Sequence, residues 1–411
     1  MDLLDELTRV CPDASAREAR PDDAVDGVTP EVVVLPRGTE EVAAVARLAA
    51  SRGRTVVARG AGTKLDWAGT PSSAEVVIDL SRMDAVLEHA SGDLVARVQA
   101  GARLAAIDRQ LAEARQWLPV DEVVPGSTIG GVVATGICGP SRYLHGAVRD
   151  LVIGVTVVRA DGVVARSGSK VVKNVAGYDL AKLFTGSYGT LGIVTEAIFR
   201  LRPSPEHRRY VTATCTDEAA LAPVLADVLH AQQAATAIEV DRRSPAGPIA
   251  LAVLVEGRAG PVEVRARAIA ELLGASDDSE ERPAGWGTLP GPVTLKVTAE
   301  LTSVPALLGL VRRLAGEHRL LPVVRGSAGV GVLFVGLAAD IAPRVLAAFL
   351  GDLRVRCQSL GGSAIVLRAP AATKGALDVW GPVPGLELMR RVKQQFDPER
   401  RLAPGRFVGG I

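Results

Sequence analysis

Cysteine and aromatic residues are scarce in this sequence. The 411 residues include four cysteines, Cys11, Cys138, Cys215 and Cys357, which lie far apart and form no C-x-x-C pair. This spacing argues against a zinc site, an iron–sulfur cluster or a disulfide framework, so we predict no metal site in the chain. Phe, Trp and Tyr make up 3% of the residues, so Ala, Val and Leu must build the cores. Because the cysteines do not suit a metal centre, any redox chemistry must use an organic cofactor or a partner's metal.

The sequence also lacks a strong net charge and long apolar runs. Its 47 Lys and Arg residues nearly balance its 46 Asp and Glu residues, for a formal charge of +1. This balance argues against the basic surface that nucleic acids or anionic lipids would require. The opening residues MDLLDELTRV carry acids where a signal peptide would be basic, and no later run approaches the length of a membrane helix. We expect a cytoplasmic protein with no direct membrane insertion.

Residues 31–59 predict a βαβ unit. The run EVVVL indicates a strand, a helix follows from about Thr39, and a second strand ends at Arg59. Thr39 is the predicted N-cap, Glu40 and Glu41 would face the positive end of the helix dipole, and Gly53 would end the helix. Further strands and two helices, one in ARLAAIDRQLAEARQ and one near Tyr178 to Phe184, are expected up to about residue 203.

The chain changes character near residue 204, where Pro203 and Pro205 close a long predicted strand. Beyond this point two similar halves each offer the order strand, helix, strand, strand, helix, strand, so we predict paired βαββαβ units. The sequence therefore predicts four parts: an N-terminal helical segment over 1–29, a first domain over 30–203, a second domain over 204–369 and a C-terminal tail over 370–411.

Three segments rich in small residues lie in the first domain: RGAGTKL over 59–65, VVPGSTIGGVVATGICG over 123–139 and KVVKNVAGYDLAKLFTGSYGTLGIVTE over 170–196. No Walker A string is present and no G-x-G-x-x-G opens a helix, so P-loop and Rossmann phosphate sites are excluded. Each segment alone has a structural explanation: a connecting turn, a packed strand pair beneath a helix, or a solvated helix face. Three such segments in one domain instead indicate one long ligand with phosphates and rings, because glycine lets a ligand approach the backbone closely.

These three segments, followed by FDPERRLAPGRF near the C-terminus, resemble the PCMH-type FAD-binding proteins of the vanillyl-alcohol oxidase superfamily. The likeness is closest to the smaller FAD-binding subunit of bacterial glycolate oxidase, and KNVAGYDL with GSYGTLGIVTE is its most specific part. The resemblance implies an α+β fold, with a two-lobed FAD-binding domain and an antiparallel α+β cap domain built from the paired βαββαβ units.

The resemblance also implies which residues bind FAD. The turn after the strand at 56–59 would hold the pyrophosphate through its backbone N–H groups, the second segment would line the pyrophosphate and flavin side, and the start of the last strand would lie by the adenine. The residues are Gly60, Ala61, Gly62, Thr63 and Lys64 for the turn, Pro125, Gly126, Thr128, Gly130, Gly131, Thr135 and Gly136 for the second segment, and Ile193 and Val194 for the strand. Relatives that attach flavin covalently carry a histidine where this chain has Lys64 and Leu65, so non-covalent FAD is expected.

The chain departs from the catalytic glycolate oxidase subunit and its D-lactate dehydrogenase relatives, because it has no His- and Gly-rich metal and substrate motif in its C-terminal half. Oxidation of a 2-hydroxy acid needs a base for the hydroxyl proton and a cation for the carboxylate. The catalytic residues stay unassigned, and the candidates are Arg142, His145, Arg149 and Lys173.

The resemblance implies an FAD-binding subunit of a glycolate oxidase-like complex that oxidises small 2-hydroxy acids such as glycolate or D-lactate. Its partners would be a catalytic flavin-bearing subunit and an iron–sulfur subunit, through which it could associate with a membrane. Two alternatives stay open: a self-sufficient FAD-dependent dehydrogenase or oxidase of a small polar alcohol or hydroxy acid, and a non-catalytic scaffold with structural FAD.

Overall fold

Contacts along the chain divide it into two compact units. In the computed structural model, which describes residues 2–11, 15–169, 178–274 and 277–411, unit 1 groups residues 1–137, 147–204 and 382–411. Unit 2 groups residues 138–146 and 205–381. No helix in the described ranges combines the length and apolar character that crossing a membrane requires.

Unit 1 begins with a small sheet and its covering helices. The elements are α1 (Leu3–Val10), β1 (Ser15–Glu18), β2 (Val32–Leu35), α2 (Thr39–Ser51), β3 (Val56–Arg59) and β4 (Val76–Asp79). The described strands form a sheet of order β1-β2-β4-β3, in which β2, β4 and β3 run parallel and β1 is antiparallel. The predicted βαβ unit is therefore confirmed, and α2 packs its Val and Ala face into the core beside the strands.

The helix α2 begins at Thr39 as predicted, but Thr39 is not its N-cap. Its N-cap is Gly38, and Thr39 is the first helical residue. The hydroxyl of Thr39 lies 2.9 Å from that of Thr195, which is 156 residues away, so it does not cap the helix. The prediction of Thr39 as N-cap was wrong because this distant partner takes the hydroxyl. Gly53, with φ of +68°, follows the end of the helix as predicted.

A second sheet completes the framework of unit 1. Its strands are β5 (Val86–Ala90), β6 (Val95–Gln99), β8 (Val152–Val158), β9 (Val164–Gly168) and β10 (Ile193–Arg200), in the antiparallel order β5-β6-β10-β8-β9. The remaining elements of unit 1 are α3 (Leu104–Ala112), β7 (Gln116–Trp117), α4 (Ile129–Thr135), α6 (Val148–Leu151), α7 (Leu180–Phe184), β11 (Arg202–Pro203) and α13 (Leu386–Phe396). The two sheets give unit 1 its two lobes.

Unit 2 contains the same strand and helix order twice. After α5 (Arg142–His145), the first half comprises β12 (His207–Cys215), α8 (Glu218–His230), β13 (Ala237–Arg242), β14 (Ile249–Gly257), α9 (Ala259–Leu273) and β15 (Asp277–Ser279). The second half comprises β16 (Val293–Thr298), α10 (Val304–Glu317), β17 (Val323–Ser327), β18 (Val332–Leu337), α11 (Pro343–Gln358) and β19 (Ala364–Arg368), and α12 (Ala371–Lys374) follows.

The two halves of unit 2 join in one antiparallel sheet. The described strands take the order β15-β12-β14-β13-β17-β18-β16-β19, so the second strand of each half meets at the centre. Apolar residues of α8 to α11 pack with alternate strand residues in a single large core. The opposite face of the sheet carries a smaller apolar cluster of Tyr210, Ala237 and Leu254, which packs with Trp286. The predicted α+β class with paired βαββαβ units is confirmed.

The observed units and the predicted ranges differ at three places. Residues 138–146 group with unit 2, and unit 2 extends to residue 381 where the sequence suggested 369. The first 29 residues hold the strand β1 as well as the helix α1. Short 3₁₀ helices complete the described structure at Pro21–Asp23, Leu80–Arg82, Ser91–Asp93, Leu301–Ser303, Ala328–Val330 and Val408–Gly410.

A buried ion pair anchors the C-terminal tail within unit 1. The Lys393 ammonium on α13 lies 2.7 Å from Asp397 Oδ2 and also donates to the carbonyl oxygens of Thr190 and Leu402. Asp397 is fully buried and accepts from the backbone N–H groups of Arg401 and Leu402. Every donor of the ammonium is therefore used, which offsets the desolvation of the two charges.

We expect Lys393→Met to destabilise unit 1 by about 3–5 kcal/mol, because it leaves the Asp397 carboxylate buried without its cation. Urea unfolding followed by circular dichroism measures the change. The matched control is Arg390→Met on the same helix, where the pair with Glu387 is exposed, and it should change stability by less than about 0.5 kcal/mol. Equal effects of the two substitutions would contradict the role of the buried pair.

Candidate cofactor site

Two adjoining clefts in unit 1 form one groove. The first encloses about 520 Å³ and the second about 480 Å³, solvent-open space included. They share a set of lining residues, so they are continuous: Ala58, Arg59, Gly60, Thr128, Gly131, Ala134 and Tyr188. Most of the lining comes from three segments, namely the turn after β3, the helix α4 with the residue before it, and residues 187–194, and the C-terminal tail adds Ala403 and Arg406.

The turn after β3 depends on glycine at residue 60. A Cβ added to Gly60 would overlap the hydroxyl of Thr128 and lie 3.1 Å from its Cβ. Gly62 has φ of +76°, a conformation that favours glycine, and its carbonyl accepts from the N–H of Leu65. The chain therefore lies directly against the start of α4 and lines the first cleft from residue 57 to residue 65.

The second segment contains the helix α4 (Ile129–Thr135). Its small residues alone did not indicate a helix. Thr128 caps α4 by accepting from the N–H of Gly131. Gly130 is packed against Ala100, so that a Cβ there would lie 2.9 Å from the Cβ of Ala100. A Cβ on Gly131 would instead enter the groove, 3.5 Å from Thr128 Oγ1 and 3.7 Å from Lys64 Nζ. Small residues thus serve both helix packing and the groove.

The third segment runs from Ser187 to the start of β10 and lines the second cleft. Tyr188 has φ of +55°, and its N–H donates to the carbonyl of Ala134 at the end of α4. Its ring centroid lies 6.0 Å from that of Phe407 in the C-terminal tail. Burial raises the pKa of the Tyr188 phenol to about 12, so the phenol is neutral at ordinary pH.

Three basic side chains line the first cleft: Arg59, Lys64 and Arg406. Arg59 is neutralised by Asp79 and Asp23, at 2.7 Å and 2.9 Å. Lys64 is 7% exposed and donates to Ser127 Oγ at 2.6 Å and to Thr63 Oγ1 at 3.0 Å. Arg406 is 4% exposed and donates to the carbonyl oxygens of Lys64 and Trp67.

Most of the residues predicted to bind FAD line this groove. They are Gly60, Ala61, Gly62, Thr63, Lys64, Thr128, Gly130, Gly131, Thr135, Ile193 and Val194. Pro125, Gly126 and Gly136 are not among the lining residues. Gly126 has φ of +77° in the loop before α4, where its N–H donates to Glu122, and Gly136 ends α4 with φ of +61° against Gly186. These two glycines shape the backbone at either end of α4.

The candidates for catalysis lie elsewhere. Arg142 and His145 belong to α5 in unit 2. Arg149 is in unit 1, 66% exposed and 3.8 Å from Asp150. Lys173 lies outside the described residues. None of Arg142, His145 and Arg149 lines the groove, and no cluster of three His, Cys, Asp or Glu side chains suited to a metal occurs in the described part of the chain.

Two basic residues that the sequence analysis did not identify, Arg406 and Lys296, are also candidates for a functional role. Arg406 stands in the C-terminal motif LAPGRF, which offered a signal, but its contact with the turn at Lys64 spans 342 residues. Lys296 on β16 lies near Arg142 within unit 2, and burial together with that guanidinium lowers the pKa of its ammonium. In the described ranges no carboxylate pairs with Lys296. No local pattern in TLKVTAEL marked this lysine.

The groove fits FAD on its own geometry. Its glycine-lined wall leaves the backbone open at Gly131, where a Cβ would fill the space beside Lys64. Buried cations line one end, suited to phosphates, and apolar residues such as Ile193 and Val194 line the other. The described lining residues of the two clefts include no His or Cys, and non-covalent binding of FAD stays a prediction.

Comparisons with known families and proteins point to the same cofactor. Residues 30–168 match the FAD binding domain family, and residues 380–407 match the C-terminal domain of FAD linked oxidases. The chain is 28% identical over 418 residues to the glycolate oxidase subunit GlcD of Bacillus subtilis, covering 92% of this chain and 89% of that protein. A D-2-hydroxyglutarate dehydrogenase of Xanthomonas citri is 37% identical over 43% of this chain and 38% of its own length.

Solved structures show the same fold. An alkyldihydroxyacetonephosphate synthase superposes with a TM-score of 0.68 and 17% identity, covering 92% of this chain and 76% of that chain. A glucooligosaccharide oxidase from Acremonium strictum, which carries a 6-S-cysteinyl, 8α-N1-histidyl FAD, has a TM-score of 0.68 and 17% identity over 98% of both chains. With its groove, its matches to two FAD-linked domain families and this shared architecture, the chain is similar to FAD-linked oxidoreductases with a PCMH-type FAD-binding domain, and FAD is its cofactor.

Proposed function

We propose that the chain is an FAD-binding subunit of a glycolate oxidase-like complex that oxidises 2-hydroxy acids to 2-oxo acids. The observation that carries this proposal is the match to a glycolate oxidase subunit along 92% of the chain. Relatives named D-lactate dehydrogenase and D-2-hydroxyglutarate dehydrogenase, which match over less than half of the chain, support the same substrate class. That full-length relative is the subunit GlcD, so the assignment to the smaller FAD-binding subunit rests on the sequence resemblance alone.

The groove of unit 1 would hold the cofactor. We propose that the turn from Gly60 to Lys64 holds the pyrophosphate, that Thr128, Gly130, Gly131 and Thr135 line the pyrophosphate and flavin side, and that Ile193 and Val194 lie by the adenine. Pro125, Gly126 and Gly136 would shape the loop and the helix end rather than contact FAD. When bound, FAD supplies a two-electron acceptor for the hydride from C2 of the hydroxy acid.

Unit 2 offers a cation pair suited to a carboxylate. Lys296 and Arg142 lie close enough for the guanidinium to lower the pKa of the ammonium. Two neighbouring cations without a described carboxylate partner are stabilised by an anion, and a 2-hydroxy acid carries one. We propose that this pair binds the substrate carboxylate. His145, in the same helix as Arg142, is the candidate base for the hydroxyl proton.

Electrons would leave through partner subunits. Cys11, Cys215 and Cys357 are buried, and the four cysteines are too widely spaced to bind an iron–sulfur cluster. A flavin-bearing catalytic subunit and an iron–sulfur subunit would therefore complete the complex. The Lys296 and Arg142 pair favours the second candidate function, a self-sufficient dehydrogenase, because it would let this chain bind a hydroxy acid by itself.

We expect the visible flavin absorption band of the FAD-loaded chain to bleach under anaerobic conditions when glycolate, D-lactate or D-2-hydroxyglutarate is added with partner subunits. Bleaching without partners would support the self-sufficient enzyme. Propionate is the control, because it carries the carboxylate but no 2-hydroxyl group. If no hydroxy acid reduces the flavin, with or without partners, the proposed function is contradicted. The remaining candidate would then be the non-catalytic scaffold with structural FAD.

The same reduction tests the cation pair. Lys296→Met should raise the hydroxy acid concentration for half-maximal reduction roughly tenfold or more, because a charge-assisted hydrogen bond to the carboxylate is lost. Arg356→Met on α11, half exposed and 3.7 Å from Glu317, is the matched control and should leave that concentration unchanged. An unchanged value for Lys296→Met would contradict the proposed carboxylate site.

We expect Gly60→Ala to weaken FAD binding, because the added Cβ displaces either the turn or Thr128. Overpacking of this kind costs about 1–3 kcal/mol, or roughly 5- to 150-fold in a dissociation constant. Isothermal titration of the apoprotein with FAD measures the change. Gly92→Ala is the control, since a Cβ at Gly92 would meet no atom within 4 Å. Wild-type affinity in Gly60→Ala would show that the turn does not contact FAD.

A further inference from the structure

Two of the three basic side chains in the first cleft carry charges that no described carboxylate pairs with. Lys64 and Arg406 are both more than nine-tenths buried, and both line the cleft. The hydrogen bonds of Lys64 go to two hydroxyl groups, and those of Arg406 go to two backbone carbonyls. Arg59, in contrast, is neutralised by Asp23 and Asp79. Burying a cation without a counter-ion is costly, so this cleft is built to receive an anion.

Each of the two cations keeps a free donor. The Lys64 ammonium has three N–H groups and donates two of them, to Ser127 and Thr63. Its nitrogen lies 3.7 Å from the position that a Cβ on Gly131 would take in the groove. The Nε of Arg406 is buried and has no hydrogen-bond partner in the described structure. Lys64 can therefore form a new hydrogen bond at the groove without losing its two present ones, while Arg406 adds a buried positive charge to the same cleft.

The other titratable groups of the cleft do not supply the missing charge. Glu122 acts on Lys64 only through longer-range attraction, as Asp26 and Asp66 do on Arg406. Tyr188, whose phenol is neutral, adds no anion at ordinary pH. The cleft therefore retains two positive charges, which matches the two negative charges of a pyrophosphate diester.

We propose that Lys64 and Arg406 are the counter-ions of the FAD pyrophosphate, with Lys64 Nζ donating directly to a phosphate oxygen. The backbone N–H groups of a glycine turn can bind a pyrophosphate without any side chain; here two side-chain charges are added. This assignment rests on FAD as the cofactor and does not depend on the hydroxy acid activity.

A pH dependence follows from Lys64. Burial lowers the pKa of its ammonium to about 8, and attraction from Glu122 opposes that effect. A bound anion favours the charged form, so the pKa is higher in the FAD complex than in the apoprotein. FAD affinity is then greatest below pH 8 and falls as the pH rises above the pKa of the apoprotein, by up to about tenfold per pH unit.

Isothermal titration of the apoprotein with FAD between pH 6.5 and pH 9 tests the proposal. The wild-type dissociation constant should rise above pH 8. Lys64→Met should weaken binding roughly 10- to 100-fold at pH 7 and flatten the pH profile. Arg406→Met should weaken binding at every pH and keep the profile. Lys182→Met, which removes an exposed lysine of unit 1, should behave as wild type.

Titration with ADP and adenosine separates charge from structure. Lys64→Met should weaken the binding of ADP, which carries a pyrophosphate, as strongly as the binding of FAD. The same substitution should leave the binding of adenosine unchanged. Equal losses for ADP and adenosine would overturn the proposal, since they indicate a distorted groove. A wild-type affinity that does not fall between pH 8 and pH 9 would also overturn it, and this measurement needs no variant. FAD binding is measured without substrate, so failure here is distinguishable from failure of the hydroxy acid proposal.

Discussion

The contact between Arg406 and the turn after β3 is the constraint on which the groove depends. The guanidinium donates to the carbonyl oxygens of Lys64 and Trp67, and the carbonyl of Arg406 accepts from the N–H of Gly69. The tail that carries Arg406 is itself fixed by the buried Lys393 and Asp397 pair. The last 30 residues therefore determine the shape of a site whose other residues come from the first half of the chain.

Small residues let the segments that line the groove pack closely against one another. Gly60 lets the turn approach Thr128, and Gly130 lets α4 approach Ala100. Because these contacts leave no space for a Cβ, the three segments stay close together, and the open space lies along Gly131. The chemistry of the site follows from this packing: backbone and buried cations meet a ligand with phosphates, and β10 offers an apolar surface to its rings.

Local pattern was sufficient for much of the architecture and for the position of the groove. The βαβ unit and the repeated βαββαβ order are local in sequence, and the glycines of the turn and of the second segment marked the groove. Long-range contacts could not be predicted in this way. The hydroxyl of Thr39 contacts that of Thr195, and the guanidinium of Arg406 donates to the backbone carbonyl of Lys64, 342 residues away. Residues 129–135 are helical because Thr128 caps them and the core buries Ile129, Val132 and Val133, which β-branched and glycine residues alone do not predict.

Hydrogen–deuterium exchange of the apoprotein and the FAD-loaded protein tests most directly whether this groove of unit 1 holds the cofactor. Amide protection reports where backbone opening is suppressed. We predict slower exchange on FAD binding in residues 57–65, 128–135 and 187–194 and in the tail around Arg406, with little change in the β12 to β15 half of unit 2. Protection confined to other segments while FAD is bound would contradict the account.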